Sequence, residues 1–163
     1  MSYFWILATQ ILLDYAVLGL IAAWYIYPRL LRMPRSDALS VLAFVHAFRF
    51  LGLTYLHRGL SAVDPASSWA ITTGYGDLIT SLLAVGTVVS LRQKAGWRLQ
   101  LVWCLNIFGL LDTLYAQGTG LMLHIWKDLS GVDWLLAVTI VPGLLIAHVL
   151  MTLILLRKDG RAG

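Results

Sequence analysis

Between Ser68 and Leu91 the chain reads SWAITTGYGDLITSLLAVGTVVSL, with Asp77 as its single charged side chain. A helix needs roughly 20 mostly apolar residues to cross a bilayer, so this stretch predicts a transmembrane helix. Four further stretches have the same character. The predicted spans are residues 3–27, 38–57, 68–91, 99–121 and 134–156. They do not alternate between apolar and polar residues as barrel strands do. The predicted fold is therefore all-α: one polytopic membrane domain, residues 1–163, with five transmembrane helices.

The composition excludes most classes of soluble protein. The chain has 163 residues, of which 60% are hydrophobic and 12% are charged, and its mean hydropathy is +0.80. A soluble domain of this size has too much surface for so large an apolar fraction. We therefore expect the lipid bilayer as the main partner. Because the positions of the basic residues indicate membrane topology, no nucleic-acid partner is expected despite a formal net charge of +4.

The basic residues predict the orientation of the chain. Three segments hold three basic residues each: Arg29, Arg32 and Arg35; Arg92, Lys94 and Arg98; and Arg157, Lys158 and Arg161. The segments on the other side of the predicted bundle hold Arg58 and Lys127. The positive-inside rule then places the N-terminus outside and the C-terminus in the cytoplasm. Gly118 and Gly120 could end the fourth helix early, and residues 121–129 are then expected to form a short interfacial helix.

Seven polar residues inside the spans form the candidate site: Asp14, His46, Arg49, Asp77, Asn106, Asp112 and His148. A charge at this depth costs at least about 2.5–3.5 kcal/mol, so such residues usually face the bundle interior and have partners. At a rise of 1.5 Å per residue, the ionisable groups lie roughly 13–21 Å from the outer ends of their spans. We therefore expect them to meet in one layer near the midplane.

The predicted function is a site that binds or transforms a small apolar or lipid-like molecule. The proposed catalytic residues are His46, Arg49, Asp77 and Asp112, and the proposed ligand-binding residues are Asp14, Asn106 and His148. Arg49 would hold a polar head group, and His46 or an aspartate would move a proton. Three carboxylates against one guanidinium leave surplus negative charge, which protonation, a charged histidine or a ligand must balance.

Three alternatives to this function stay open. His46 and His148 could be the axial ligands of a b-type haem, whereas no other metal site is predicted. Asp14, Asp77 and Asp112 could carry protons in a proton-coupled transporter. The polar residues could also serve a purely structural role by fixing helix register. The sequence leaves open whether the chain forms a homo-oligomer.

The segment Thr72–Asp77, TTGYGD, resembles the selectivity filter of potassium channels. A filter must be followed by an inner helix that crosses the bilayer. Residues 78–91 are too few for that, so the interpretation as one continuous helix is preferred. Gly74 and Gly76 are then positions of close helix packing.

Several short motifs together resemble a family of small bacterial inner-membrane proteins of about this length. The motifs are His46-Ala-Phe48-Arg49-x-x-Gly52, Gly74-Tyr75-Gly76-Asp77, Asn106-x-x-Gly109-x-x-Asp112 and His148-Val-Leu150. The resemblance spans nearly the whole chain and implies five membrane helices in a bacterial inner membrane. The family has no known activity, so the resemblance implies no function.

Overall fold

A computed structural model describes residues 2–157 of the chain. These residues form five long helices and no strand. The helices are α1 (Tyr3–Arg32), α2 (Arg35–Leu56), α3 (Ser68–Arg92), α4 (Arg98–Met122) and α5 (Val132–Leu156). Each is long and apolar enough to cross a membrane. The predicted helical architecture is confirmed, whereas Lys158 and Arg161 of the basic tail lie outside the described residues.

Helices α2 to α5 surround one core, and α1 packs on the outside against α5. We call the end of the bundle at which α1 ends and α2 begins the basic end. In this half the four helices are tightly packed around fully buried apolar side chains. The largest of these are Leu39, Val102, Leu105, Met151 and Ile154.

Towards the opposite end, the four helices separate. The last part of α2 packs on α3, whereas the first part of α5 packs on α1. A second, smaller apolar cluster forms between them, and Leu7, Tyr55, Trp69 and Leu136 belong to it. The bundle is therefore closed at its basic end and divided at the other.

Helix α2 changes its winding at the point where the polar residues begin. Residues Arg35–Ala47 are α-helical and Phe48–Leu56 form a 3₁₀-helix. Ser81 of α3 donates a hydrogen bond of 2.6 Å to the Ala47 carbonyl at this change. Because a 3₁₀-helix has 3.0 residues per turn, residues three apart share one face. The buried residues of this segment follow that period, since they are Arg49, Gly52 and Tyr55.

Two prolines lie inside helices and follow short π-helical segments. The first predicted span ends at residue 27, but α1 continues through Pro28 to Arg32 after a π-helix at Ala22–Ile26. The predicted end of this span was therefore too early. Pro142 of α5 follows a π-helix at Leu136–Ile140. A proline ring clashes with the carbonyl four residues earlier, and the wider π turn relieves this clash without ending the helix.

The alternative early end of the fourth helix is not observed, and the predicted span 99–121 agrees with α4. Helix α4 runs past Gly118 and Gly120 to Met122. The predicted interfacial helix at 121–129 is reduced to a single 3₁₀ turn at Ile125–Lys127. This turn follows His124, whose positive φ of 57° ends the preceding helix. By contrast, the filter-like segment 72–77 is regular α-helix within α3, as expected from its context.

Candidate functional site

The guanidinium of Arg49 is saturated with oxygen contacts. Its Nε donates to Asp77 Oδ1 at 2.6 Å, and Nη2 lies 2.6 Å from the same oxygen. Nη2 also donates to Asp112 Oδ2 at 2.5 Å. Nη1 donates to the Gly109 carbonyl and to Thr113 Oγ1, each at 2.8 Å. These five contacts, four hydrogen bonds and one ion-pair contact, involve all three nitrogens of the guanidinium.

Arg49, Asp77 and Asp112 thus form one ion cluster between α2, α3 and α4. The side chain of Arg49 is 2% exposed, and those of Asp77 and Asp112 are 14% and 11% exposed. With both carboxylates ionised the cluster carries one surplus negative charge. Desolvated charges of this kind need both their ion pairs and full hydrogen bonding.

Glycines make room for both carboxylates. A Cβ atom built at Gly52 of α2 collides with the carboxyl group of Asp77, and one built at Gly76 of α3 collides with that of Asp112. Each aspartate therefore lies directly on the backbone of the preceding helix. The glycines in the Arg49-x-x-Gly52 and Gly76-Asp77 motifs are thus part of the site.

A second polar cluster lies next to the first and joins α4 to α5. His148 Nδ1 is 2.9 Å from Asn106 Oδ1, and Asn106 Nδ2 donates to Thr152 Oγ1 at 2.8 Å. The His148 ring lies against Gly109, where a Cβ would come within 2.8 Å of Cε1. Since the Gly109 carbonyl accepts from Arg49, this residue links the two clusters.

His46 and His148 stack on each other in the closed half of the bundle. Their ring centroids are 3.9 Å apart at an interplanar angle of 30°, and both residues are fully buried. Both ring nitrogens of His46 and Nε2 of His148 have no hydrogen-bond partner among the described residues. A b-type haem does not fit this arrangement. Its two axial histidines must approach the iron from opposite faces of the macrocycle, which cannot lie between stacked rings.

Asp14 is the candidate residue that the structure does not bring to either cluster. No hydrogen bond or ion pair joins it to Arg49 or to the histidines within residues 2–157, and its buried Oδ2 has no partner there. The reason lies in the packing, because the segment Tyr3–Ile21 of α1, which carries Asp14, packs mainly on α5 and on the 3₁₀ turn at Ile125–Lys127.

A cavity of about 630 Å³ occupies the divided half of the bundle, between α1 and the other helices. Its walls are mainly apolar and aromatic, and they include Phe4, Leu7, Ile11, Trp69, Trp126 and Leu144. At its floor are Arg49, Gly52, Asp77 and Thr113. Asp112 and both buried histidines are not among the residues that line it. Pockets of this size with a few convergent polar groups are typical of small-molecule sites.

The residues of both polar clusters lie within the part of the chain that a family model matches. The family model of a domain of unknown function, DUF8737, matches residues 6–157. The chain belongs to the DUF8737 family. No curated protein and no solved structure matches it. The expectation of a family without a known activity is thereby confirmed, and both polar clusters of this DUF8737 protein lie inside the matched region.

Thr73 is a cavity residue that the sequence analysis missed. It is 6% exposed, and its Oγ1 has no hydrogen-bond partner among the described residues. It lies one helical turn before Asp77, so both belong to the same face of α3. That four-residue spacing is the signal from which Thr73 could have been found.

Asp133 is a second buried polar residue that was missed, because it lies just outside the predicted span 134–156. It is 0% exposed, and its Oδ2 accepts from Ser61 Oγ at 3.0 Å and from the Ala62 amide at 2.9 Å. These bonds fasten the loop between α2 and α3 to the start of α5. Asp133 therefore stabilises this end of the bundle, and among the described residues no hydrogen bond or ion pair joins it to the ion cluster.

Proposed function

We propose that this DUF8737 protein is a five-span protein of a bacterial inner membrane that binds a small apolar or lipid-like molecule in the cavity above Arg49 and Asp77. Large apolar side chains on the outside of the bundle support the membrane location. Leu12 is 70% exposed, Leu82 is 64% exposed and Met122 is 78% exposed. In water these surfaces would be costly, whereas hydrocarbon solvates them.

The proposed orientation places the basic end in the cytoplasm. Arg29, Arg32, Arg35, Arg92 and Arg98 lie at that end, by the bounds of the helices. The opposite end holds Trp69, Trp126 and Trp134, which suit a membrane–water interface. The basic residues favour an outer N-terminus and a cytoplasmic C-terminus, whereas the tryptophans mark an interface without indicating its side.

The single observation that carries the binding proposal is the cavity with a charged floor. Protein interiors are packed at crystal-like density, and large voids between helices are rare. A purely structural ion cluster would need no such space beside it. The 630 Å³ volume next to a buried guanidinium–carboxylate pair instead favours a bound molecule with a long apolar part and one polar end.

Binding is a better-supported role than catalysis. General acid–base chemistry needs a proton-transferring group within hydrogen-bond reach of the reacting atom. Asp77 is the carboxylate that lines the cavity, whereas His46 is buried away from it. Proton-coupled transport through Asp14, Asp77 and Asp112 stays a prediction.

Native mass spectrometry of the purified protein tests the proposal. We expect the wild-type chain to retain one small apolar molecule per protein, seen as an added mass. Ala8 of α1 lines the cavity, so Ala8→Trp should fill part of it and remove the added mass.

Ala16→Trp is the matched control, because Ala16 is on the same helix, is exposed and does not line the cavity. It should retain the bound molecule. A wild-type protein without added mass, or equal retention by Ala8→Trp and Ala16→Trp, would contradict the proposal.

A further inference from the structure

We infer that the molecule bound in the cavity presents a hydrogen-bond donor, a hydroxyl or an ammonium group, to Asp77 and Thr73, and that anionic head groups are excluded. This inference rests on the proposed function and names the chemical class of its ligand. It departs from the sequence-based expectation that Arg49 holds the head group.

All three guanidinium nitrogens of Arg49 already contact protein oxygens. A phosphate or carboxylate is usually recognised by free guanidinium N–H groups, often in a bidentate fork. Here the five contacts of the guanidinium all end on protein oxygens, from Asp77, Asp112, Gly109 and Thr113. An anion would have to displace one of these partners.

Asp77 offers the cavity an acceptor instead. The contacts of Arg49 with this residue all end on Oδ1, while Oδ2 lies against the backbone of Gly52. Both Gly52 and Asp77 line the cavity, and the Asp77 side chain keeps 14% of its surface exposed. An ionised carboxylate accepts hydrogen bonds and donates none.

Thr73 adds a second, independent observation. Among the described residues its hydroxyl has no hydrogen-bond partner, although Thr73 is 6% exposed and lies one turn from Asp77 on the cavity wall. A buried hydroxyl without a partner costs free energy, which a ligand head group can recover. A ligand hydroxyl or ammonium can donate to Asp77, and the Thr73 hydroxyl, whose oxygen is buried in the cavity wall, must turn towards the cavity to accept from the same group.

The charge of the ion cluster also favours a hydrogen-bond donor over an anionic head group. Two carboxylates share one guanidinium, so an anionic ligand would add a third negative charge in a medium of low dielectric constant. An ammonium group would instead neutralise the surplus charge. We therefore expect affinity to fall in the order amine, alcohol, carboxylate.

Three probes that share an alkyl chain of the same length and differ in their polar group test this order: dodecylamine, dodecanol and dodecanoate. The full-length protein is placed in phosphatidylcholine nanodiscs, and its thermal unfolding midpoint is measured against probe concentration at neutral pH. A ligand that binds the folded state raises this midpoint. Subtracting the response of Ala8→Trp removes effects of the probes on the bilayer.

Amine and alcohol should bind at least about tenfold more tightly than dodecanoate, which corresponds to one charge-assisted hydrogen bond or more. Dodecanoate binding as tightly as dodecylamine would overturn the inference and leave the proposed function standing. If no probe shifts the wild type more than Ala8→Trp, the proposed function fails, and the inference fails with it.

A neighbouring pair of threonines gives the matched variants. Thr73→Val should weaken amine and alcohol binding by about fivefold, the equivalent of one ordinary hydrogen bond. Thr72→Val should leave binding unchanged, because Thr72 is exposed and its hydroxyl donates to the Ser68 carbonyl at 2.8 Å. Equal affinities of Thr73→Val and wild type would overturn the role of Thr73.

Discussion

At the scale of single residues, the planar arrangement of N–H donors in a guanidinium explains why position 49 holds an arginine rather than a lysine. A guanidinium offers five N–H groups in a fixed planar fork, whereas a lysine ammonium offers three on a flexible stem. The acceptors around Arg49 come from Asp77 on α3 and from Gly109, Asp112 and Thr113 on α4. One rigid side chain from α2 thereby fixes the positions of two other helices.

Removal of the Arg49 charge should destabilise the protein strongly. Arg49→Gln leaves two carboxylates without a counter-charge, and breaking a buried ion pair in this way costs about 3–5 kcal/mol. The measurement is the free energy of unfolding in mild detergent. Arg58→Gln is the control, since Arg58 is 82% exposed in its 3.7 Å pair with Asp64 and should change stability very little.

The double variant Arg49→Gln with Asp112→Asn distinguishes the effect of the lost positive charge from the effect of the changed side-chain shape at position 49. Because it removes one surplus carboxylate, it should recover part of the stability lost in Arg49→Gln. Similar stabilities of Arg49→Gln and Arg58→Gln would show that the ion cluster does not hold the helices together.

At the scale of the helices, departures from α-helical winding position the site. The 3₁₀ segment of α2 places Arg49 and Gly52 on one face, three residues apart. In a regular α-helix, side chains three residues apart would point in directions that differ by about 60° around the helix axis. The change of winding was not predicted, because its stabilising contact, Ser81 to the Ala47 carbonyl, comes from another helix.

Glycine substitutions in two helices should have opposite effects. Gly76→Ala puts a methyl group into the carboxyl of Asp112 and should destabilise the protein by about 1–3 kcal/mol, typical of overpacking. Gly118→Ala meets nothing within 4 Å in the interior of α4. It should stabilise the protein by up to about 1 kcal/mol, because alanine is the better helix former.

Thermal unfolding of both variants beside the wild type checks this contrast. A Gly76→Ala protein as stable as Gly118→Ala would mean that Asp112 has room to move away from α3. The close approach of α3 and α4 would then not depend on the absence of a side chain at position 76.

At the scale of the whole molecule, the bundle is closed at one end and divided at the other. The closed half holds the stacked histidines and the main apolar core, and the divided half holds the cavity. The ion cluster lies where the two halves meet. Helix α1 covers the divided half from outside, so it separates the cavity from the surroundings along one side.

The orientation of the whole bundle can be tested by cysteine labelling. With Cys104 replaced by serine, Leu60→Cys and Gln93→Cys each place one exposed thiol at opposite ends. A membrane-impermeant maleimide should label residue 60 in intact bacterial cells and residue 93 only after the membrane is opened. This follows from the positive-inside rule. Labelling of residue 93 in intact cells would reverse the proposed topology.

Much of the architecture could be predicted from the sequence, because a bilayer imposes strong demands on length and polarity. Five helices follow from apolar stretches of about 20 residues. The pairing of Arg49 with aspartates follows from the cost of isolated charges in hydrocarbon. Asp14 shows the limit of that argument, since depth along a helix axis says nothing about which helices are neighbours.

The sequence by itself determined the number of helices, their boundaries to within a few residues and the set of polar residues that need partners. Each of these depends on the transfer of local stretches from water to an apolar medium. The tertiary structure decided the rest: the saturated guanidinium, the stacking of His46 on His148 and the cavity beside Asp77. These depend on which helix faces which, and contacts between residues far apart in the chain set that choice.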